Sequence, residues 1–468
     1  MPDTPRPTRV IWITSDHMRY DHVAANGNPA MVTPALDRIA ASSACFHRCY
    51  TQNPLCMPSR CSFMTGMYPP QTGVTHNGHC LPADFTPTVA TAFRAAGYAT
   101  AQIGKLHFQP HDEMDFDAKP RHTYGFDVFW PIEERGNYSD AYYHWLEGKH
   151  PQHAADFRVP RSSDPDRHFS EKTPQPVDAP WQASQAGWIV DAASRYLSSR
   201  QDTPQFVHLG FYNPHPPLTP VREAWDAYDG VDLPAPHRDD NEAADKPEPL
   251  AGMLRQRDDW GPADFTAFRK GLAAMVTEMD FAIGWLLNHL TNHGLLDDTL
   301  LVFSSDHGDF AGDHGITHKG PAYYDEVMRV PLMLHWPNGL GDTRRDCDGL
   351  IEMVDLLPTL LGLCSAPIPA EIAGRSVADA LLAGQAPAGR ADVFAYHDAG
   401  QIMLRTDTHK YLRYEPWGSE VLYDLAADPH EFVNVADAQP ETLAALRERA
   451  LVRALAASTS AQRRLHPY

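Results

Sequence analysis

Three kinds of reactive side chain stand at positions a folded chain could bring together. The first is a thiol in a turn. Cys56 lies in Asn53-Pro54-Leu55-Cys56-Met57-Pro58-Ser59-Arg60, bracketed by two prolines. Pro58 fits the first turn of a helix, which puts Cys56 at or just before a helix N-terminus. Free amides and the helix dipole favour an anion or a nucleophile there. Arg60, four residues on, is near enough to turn back towards Cys56. Taken alone, such a cysteine reads as a small buried residue beside a helix cap. The second kind is a pair of Asp-His dipeptides, Asp16-His17 and Asp306-His307, each closing an apolar run. Two carboxylates with neighbouring imidazoles suit one divalent cation. The third is a set of cationic and imidazole groups that follow strand-like runs: Lys105 and His107 in Gly104-Lys105-Leu106-His107, His215 in Asn213-Pro214-His215-Pro216-Pro217, and Lys319 in His318-Lys319-Gly320.

The elements that must position these groups can be read from apolar patterning. Val10 to Ser15, Tyr98 to Ile103, Gln205 to Phe211, Thr299 to Ser304 and Val330 to Trp336 are continuous apolar runs of the kind found in buried parallel strands. Phe46 to Thr51 reads as a short strand leading into the Cys56 turn. Ligands of open α/β sheets gather at the carboxyl ends of strands, where both Asp-His pairs fall. Strand alternation places Lys105 and His107 on one side. Helices are expected from Pro34, over 88–96 with Gly97 as a C-cap, over 186–199, over 265–293 and over 354–363. Residues 110–180 and about 220–262 are polar and Pro-rich and read as long loops that wall a substrate pocket. From about Arg375 short alternating runs point to an antiparallel sheet closed by a helix over 443–456. The expected domains are therefore 1–374 and 375–468.

Composition narrows the classes. The 468 residues with 43% hydrophobic content support a large core, and a net charge of −21 argues against a nucleic-acid binder. An acidic protein acting on an anion must concentrate its cations in one pocket. The seven cysteines lack paired zinc spacing and read as mostly reduced and buried. The first residues carry no apolar signal core, and no run is long enough to span a membrane, so no membrane partner and a cytoplasmic location are expected.

Cys56-Met57-Pro58-Ser59-Arg60 matches the Cys-Xaa-Pro-Ser-Arg modification motif of the type I sulfatases, and the chain resembles that family. Met64-Thr65-Gly66-Met67 stands where the family usually has Leu-Thr-Gly-Arg. Gly104-Lys105-Leu106-His107, His215-Pro216-Pro217, and the Leu422-Tyr423-Asp424-Leu425 and Asp428-Pro429-His430-Glu431 segments also match, so the likeness runs from Ile11 to about Ala436.

The resemblance implies an α/β, alkaline-phosphatase-like fold: a large, mostly parallel central sheet flanked by helices, plus a smaller C-terminal antiparallel sheet with a helix. It implies that a formylglycine-generating enzyme oxidises Cys56 to formylglycine, whose hydrate carries two hydroxyls. One attacks sulfur, and the other collapses the adduct. Carried over position by position, Asp16, His17, Asp306 and His307 with the modified Cys56 bind one metal. Ca2+ is placed ahead of Mn2+, and His17 stands where the family has Asp or Gln. Arg60 holds the formylglycine. Lys105 and Lys319 neutralise the transferring group. His107 is the base, His215 protonates the leaving alcohol, and Asn77 binds a substrate oxygen. The substrate is a small sulfate ester. A phosphonate monoester hydrolase or phosphodiesterase of the same superfamily is the main alternative. An inactive binder of sulfated ligands and a Cys-His-Asp thiol hydrolase are the others.

Overall fold

The computed structural model describes residues 6–109, 122–132, 140–157, 172–199, 202–415 and 418–458. Its centre is a nine-stranded sheet of β1 (Arg9–Asp16), β2 (Ala44–Tyr50), β3 (Ala99–Gly104), β4 (Val128–Pro131), β5 (Gln205–Pro214), β6 (Thr299–Ser305), β7 (Arg329–His335), β8 (Arg345–Cys347) and β9 (Ile351–Glu352). The spatial order is β4-β3-β5-β1-β6-β7-β2-β8, with β9 also pairing β2. β4, β3, β5, β1 and β6 are mutually parallel, and only β7 runs against its neighbours β6 and β2.

Both faces of this sheet are covered, which is why β1 is apolar at successive positions. Ile11 and Ile13 face one core, with the helices Gln185–Ser199 and Pro262–Asn292 and with α1 (Pro34–Ala40). Val10 and Trp12 face a second core, with α2 (Cys56–Thr65) and the helices Val89–Ala95 and Leu356–Leu363. Both cores lie at essentially zero exposure, as a sheet sandwiched between helical layers requires.

A second, four-stranded antiparallel sheet has the order β10 (Val393–His397), β11 (Gln401–Arg405), β12 (His409–Tyr414), β13 (Ser419–Asp424), and the helix Pro440–Ser458 packs on it. Its other face joins Met403, Leu412 and Tyr423 to Tyr50, Tyr323 and Tyr324 in one core.

The expected strands and long helices are present, with their ends within three residues of those expected. The stretch 220–262 is more ordered than its composition suggests, holding the short helices Arg222–Asp226 and Leu250–Leu254. Of the other expected loop, residues 110–121, 133–139 and 158–171 lie outside the described residues. No disulfide joins any of the seven cysteines, and all but Cys80 are buried. Among the described residues no helix is long and apolar enough to cross a membrane.

Candidate active site at the carboxyl edge of the sheet

Four adjacent parallel strands deliver the chemistry. In the order β3, β5, β1, β6, their carboxyl ends lead into Lys105, His215, Asp16-His17 and Asp306-His307. Register fixes the alignment, with Asp16 opposite Pro214 and Ser15 opposite Ser305. Between β3 and β5 the chains approach so closely that a Cβ on Gly104 would lie 2.1 Å from the Gly210 carbonyl oxygen. Only glycine fits there. Lys105 N–H donates to that same oxygen at 2.7 Å, which sets where the Lys105 side chain starts. Gly104, at φ 97°, has already left extended geometry, so strand alternation does not place Lys105 and His107. His107 has a left-handed backbone, φ 57°, and is buried.

β2 enters from the far side and turns through Thr51 to Leu55 into α2, with Leu55 as N-cap and Cys56 as the first helical residue. Asn53 holds this turn, its Nδ2 donating to the Thr75 and Tyr396 carbonyls at 3.1 and 2.7 Å. Asn77 Oδ1 accepts from Met57 N–H at 3.0 Å and so satisfies one amide of the helix start.

Cys56 Sγ is the focus. Lys319 Nζ donates to it at 2.6 Å, His307 Nε2 lies at 3.3 Å, and the thiol reaches Asp16 Oδ1 at 3.5 Å. Burial pushes the Cys56 thiol up to about 11, with the Asp16 carboxylate adding to the rise. An unmodified thiol is therefore protonated at neutral pH and is a weak nucleophile.

Asp16 pairs with Lys105 Nζ. Burial alone would raise its pKa, but Lys105, His215, Arg60 and Lys319 outweigh that and hold Asp16 well below the usual carboxylate range. Asp306 Oδ1 accepts from the amides of His17 and His307 at 3.2 and 2.9 Å. Its Oδ2 accepts from Arg60 Nε at 2.7 Å. The Arg60 guanidinium also donates to the Lys105 and Ser15 carbonyls at 3.1 and 3.5 Å. Arg60 thus ties together the ends of β1, β3 and β6, while Ser59 Oγ donates to the Asp306 carbonyl at 2.6 Å.

Three imidazoles share one arrangement. His307 Nδ1 faces the Gly308 carbonyl at 2.8 Å, His215 Nδ1 the Pro216 carbonyl at 2.6 Å, and His17 Nδ1 the Asp309 carboxylate at 3.1 Å. Each acceptor requires the proton on Nδ1 and leaves the Nε2 lone pair facing inward. Burial lowers all three, His307 to about 4, so the rings are neutral.

These donors fit a cation. His307 Nε2 stands 3.8 Å from both Asp16 and Asp306, so a lone pair faces two carboxylates. Ligand atoms of Asp16, Cys56, Asp306 and His307 all lie within 4.8 Å of one another. A cation there would meet carboxylate oxygens of Asp16 and Asp306 and the inward Nε2 lone pair of His307, a donor set that suits a divalent ion. His17 Nε2 is 4.0 Å from Asp16 but is engaged by Lys319 Nζ. Asp309, which orients His17, was not singled out from the sequence. It lies in the same strand-end run as Asp306, but its contact with His17 is purely tertiary.

Known proteins resemble this chain along most of its length. The sulfatase family model matches residues 8–366, and the model of the C-terminal region of N-sulphoglucosamine sulphohydrolase matches residues 312–455. An arylsulfatase of Clostridium perfringens is 28% identical, with 92% of this chain and 90% of the relative covered. A multifunctional alkaline phosphatase superfamily protein of Trinickia caryophylli is 27% identical, with 91% of each covered. The crystal structure of a phosphonate monoester hydrolase of Agrobacterium radiobacter superposes with a TM-score of 0.83 at 26% identity, covering 97% and 96% of the two chains. With the family model spanning most of its length, the chain belongs to the sulfatase family, within the alkaline phosphatase superfamily.

Proposed function

We propose that this enzyme hydrolyses a small sulfate monoester at the Cys56 centre. Cys56 is matured to formylglycine by a formylglycine-generating enzyme, and one divalent cation is held by Asp16, Asp306 and His307 with the modified residue, beside His17. The observation that carries this reading is the convergence of Lys319, His307 and Asp16 within 3.5 Å of Cys56 Sγ. When present, formylglycine hydrate supplies the oxygen nucleophile and the cation withdraws charge from the sulfuryl oxygens.

The chain's own residues do the rest. Lys105 and Lys319 place two ammonium groups around an anionic group in a water-poor site, where electrostatic stabilisation is strongest. His215 Nε2 lies 3.4 Å from Lys319 Nζ, so a proton on that ammonium can pass through His215 to the leaving oxygen. His107 is assigned the opposite transfer, taking a proton from the nucleophilic residue. Arg60 holds the nucleophile's helix and Asp306 in register, and Asn77 binds a substrate oxygen beside the helix start. Two carboxylates favour Ca2+, and the imidazole makes Mn2+ the alternative. The smaller unit, 375–468, braces the nucleophile turn from behind, with Tyr396 N–H donating to the Gln52 carbonyl at 2.9 Å. A cytoplasmic location remains part of this proposal.

A phosphonate monoester is the second reading, favoured by the superposition on the Agrobacterium enzyme and by the imidazole in the cation site. Comparing kcat/KM for an aryl sulfate and an aryl phosphonate tests the order. Faster sulfate turnover supports the first reading, and faster phosphonate turnover replaces it with the second.

A further inference from the structure

Asp309 has no part in the steps above, yet it is fully buried against them, and its two oxygens do different work. Oδ1 accepts from the amides of Ala311 and His318 at 2.8 and 3.1 Å. Oδ2 takes the Nδ1 proton of His17 at 3.1 Å. His215 and His307 are oriented by backbone carbonyls next to them in the chain, whereas His17 is oriented by a side chain 292 positions away. His17 has a left-handed backbone, φ 65°, a conformation that persists only where its surroundings enforce it.

The consequence falls on Lys319. Its ammonium has three N–H groups and meets three acceptors: His17 Nε2, Cys56 Sγ at 2.6 Å and His215 Nε2 at 3.4 Å. A proton on His17 Nε2 would set donor against donor and turn the ammonium away from Cys56.

We propose that Asp309 is a positioning residue: by accepting the Nδ1 proton of His17 it fixes that ring's tautomer, and through the ring it seats the Lys319 ammonium between Cys56 and His215. The role rests on the hydrolytic reading above, whereas the tautomer itself can be observed without substrate.

Asp309→Asn isolates the effect. The Ala311 and His318 amides keep the side-chain oxygen, so the new amide nitrogen faces His17 Nδ1 and drives the proton to Nε2. The expected result is a kcat lower by about 10²–10⁴-fold, with KM and bound metal little changed. In a His17→Gln background the same substitution should change kcat by less than about threefold, because coupled residues are not additive. Equal losses in both backgrounds would mean that Asp309 merely holds its loop, and would overturn the proposal. Nitrogen-15 shifts of labelled histidine in the native enzyme decide the matter even if the variants do not fold. Protonation of His17 at Nδ1 supports the role, and protonation at Nε2 overturns it. Active enzyme with the wrong tautomer defeats only this inference, whereas the right tautomer without ester turnover defeats the hydrolytic reading instead.

Discussion

Arg60 Nε donates to Asp306 Oδ2 at 2.7 Å, joining the nucleophile's helix to the end of β6 with both side chains fully buried. Removing one member of a buried pair leaves the other charge uncompensated, at about 3–5 kcal/mol. Arg60→Met should lower the stability of the metal-free protein by that order, measured by urea unfolding. A loss within about 0.5 kcal/mol, ordinary for a surface substitution, would show that the pair does not hold the two elements together.

The proposed reaction draws on Lys105 and His215 from different strands. Lys105→Ala removes an ammonium from beside Asp16 and should reduce kcat by about 10²–10³-fold. His215→Ala should cost about 10²–10⁴-fold with substrates whose leaving alcohol needs a proton, and less with an activated nitrophenyl ester. Steady-state kinetics with two leaving groups checks both. Near-normal turnover in both variants would remove their assigned roles.

The cation site makes a prediction about content as well as rate. Dialysis against a chelator should abolish turnover, and adding back Ca2+ or Mn2+ should restore it and identify the ion. Asp306→Asn should lose most bound metal, because two carboxylates supply the charge that holds it. Elemental analysis of native and variant protein reads this directly.

A pH effect is expected away from the centre. His314 is buried with Glu242 2.9 Å from Nδ1 and Glu326 3.6 Å from Nε2, stacked on Tyr324 at 3.8 Å. Burial alone would lower it, but hydrogen bonding to Glu242 and Glu326 and their charges raise it to about 10. A raised histidine stabilises the fold fully below its unfolded value of about 6.5 and loses that contribution as pH climbs through about 10. The native protein should therefore exceed His314→Gln by a margin on the order of 5 kcal/mol below pH 6.5. The margin should shrink steadily towards pH 10. Unfolding curves at several pH values check it, and a constant margin would contradict the assignment.

How far the sequence led depended on whether a feature was local. Both Asp-His pairs could be placed at strand ends because the apolar runs of β1 and β6 stop there, and the prolines that bracket Cys56, with Pro58 in the first turn, were enough to put Cys56 at the start of α2. The partners could not be read. Arg60 looked available to Cys56 by spacing, yet its guanidinium goes to Asp306 and to the Ser15 and Lys105 carbonyls, groups that only the sheet brings together. Asp309 stood in plain view beside His307, but its hydrogen bond to His17 crosses the whole chain. Strand alternation was no guide to Lys105 and His107, because Gly104 ends the strand at a positive φ. The short helices within 220–262 lack the length that gives periodicity a signal.

The central claim is that Cys56 becomes an aldehyde and that ester hydrolysis depends on it. Its most direct test is the mass of the peptide spanning Asn53 to Arg60, taken from protein made with a formylglycine-generating enzyme and compared with turnover of the same preparation. The account predicts formylglycine in place of cysteine, in proportion to activity across preparations. Full activity from protein whose Cys56 is still a thiol would contradict it.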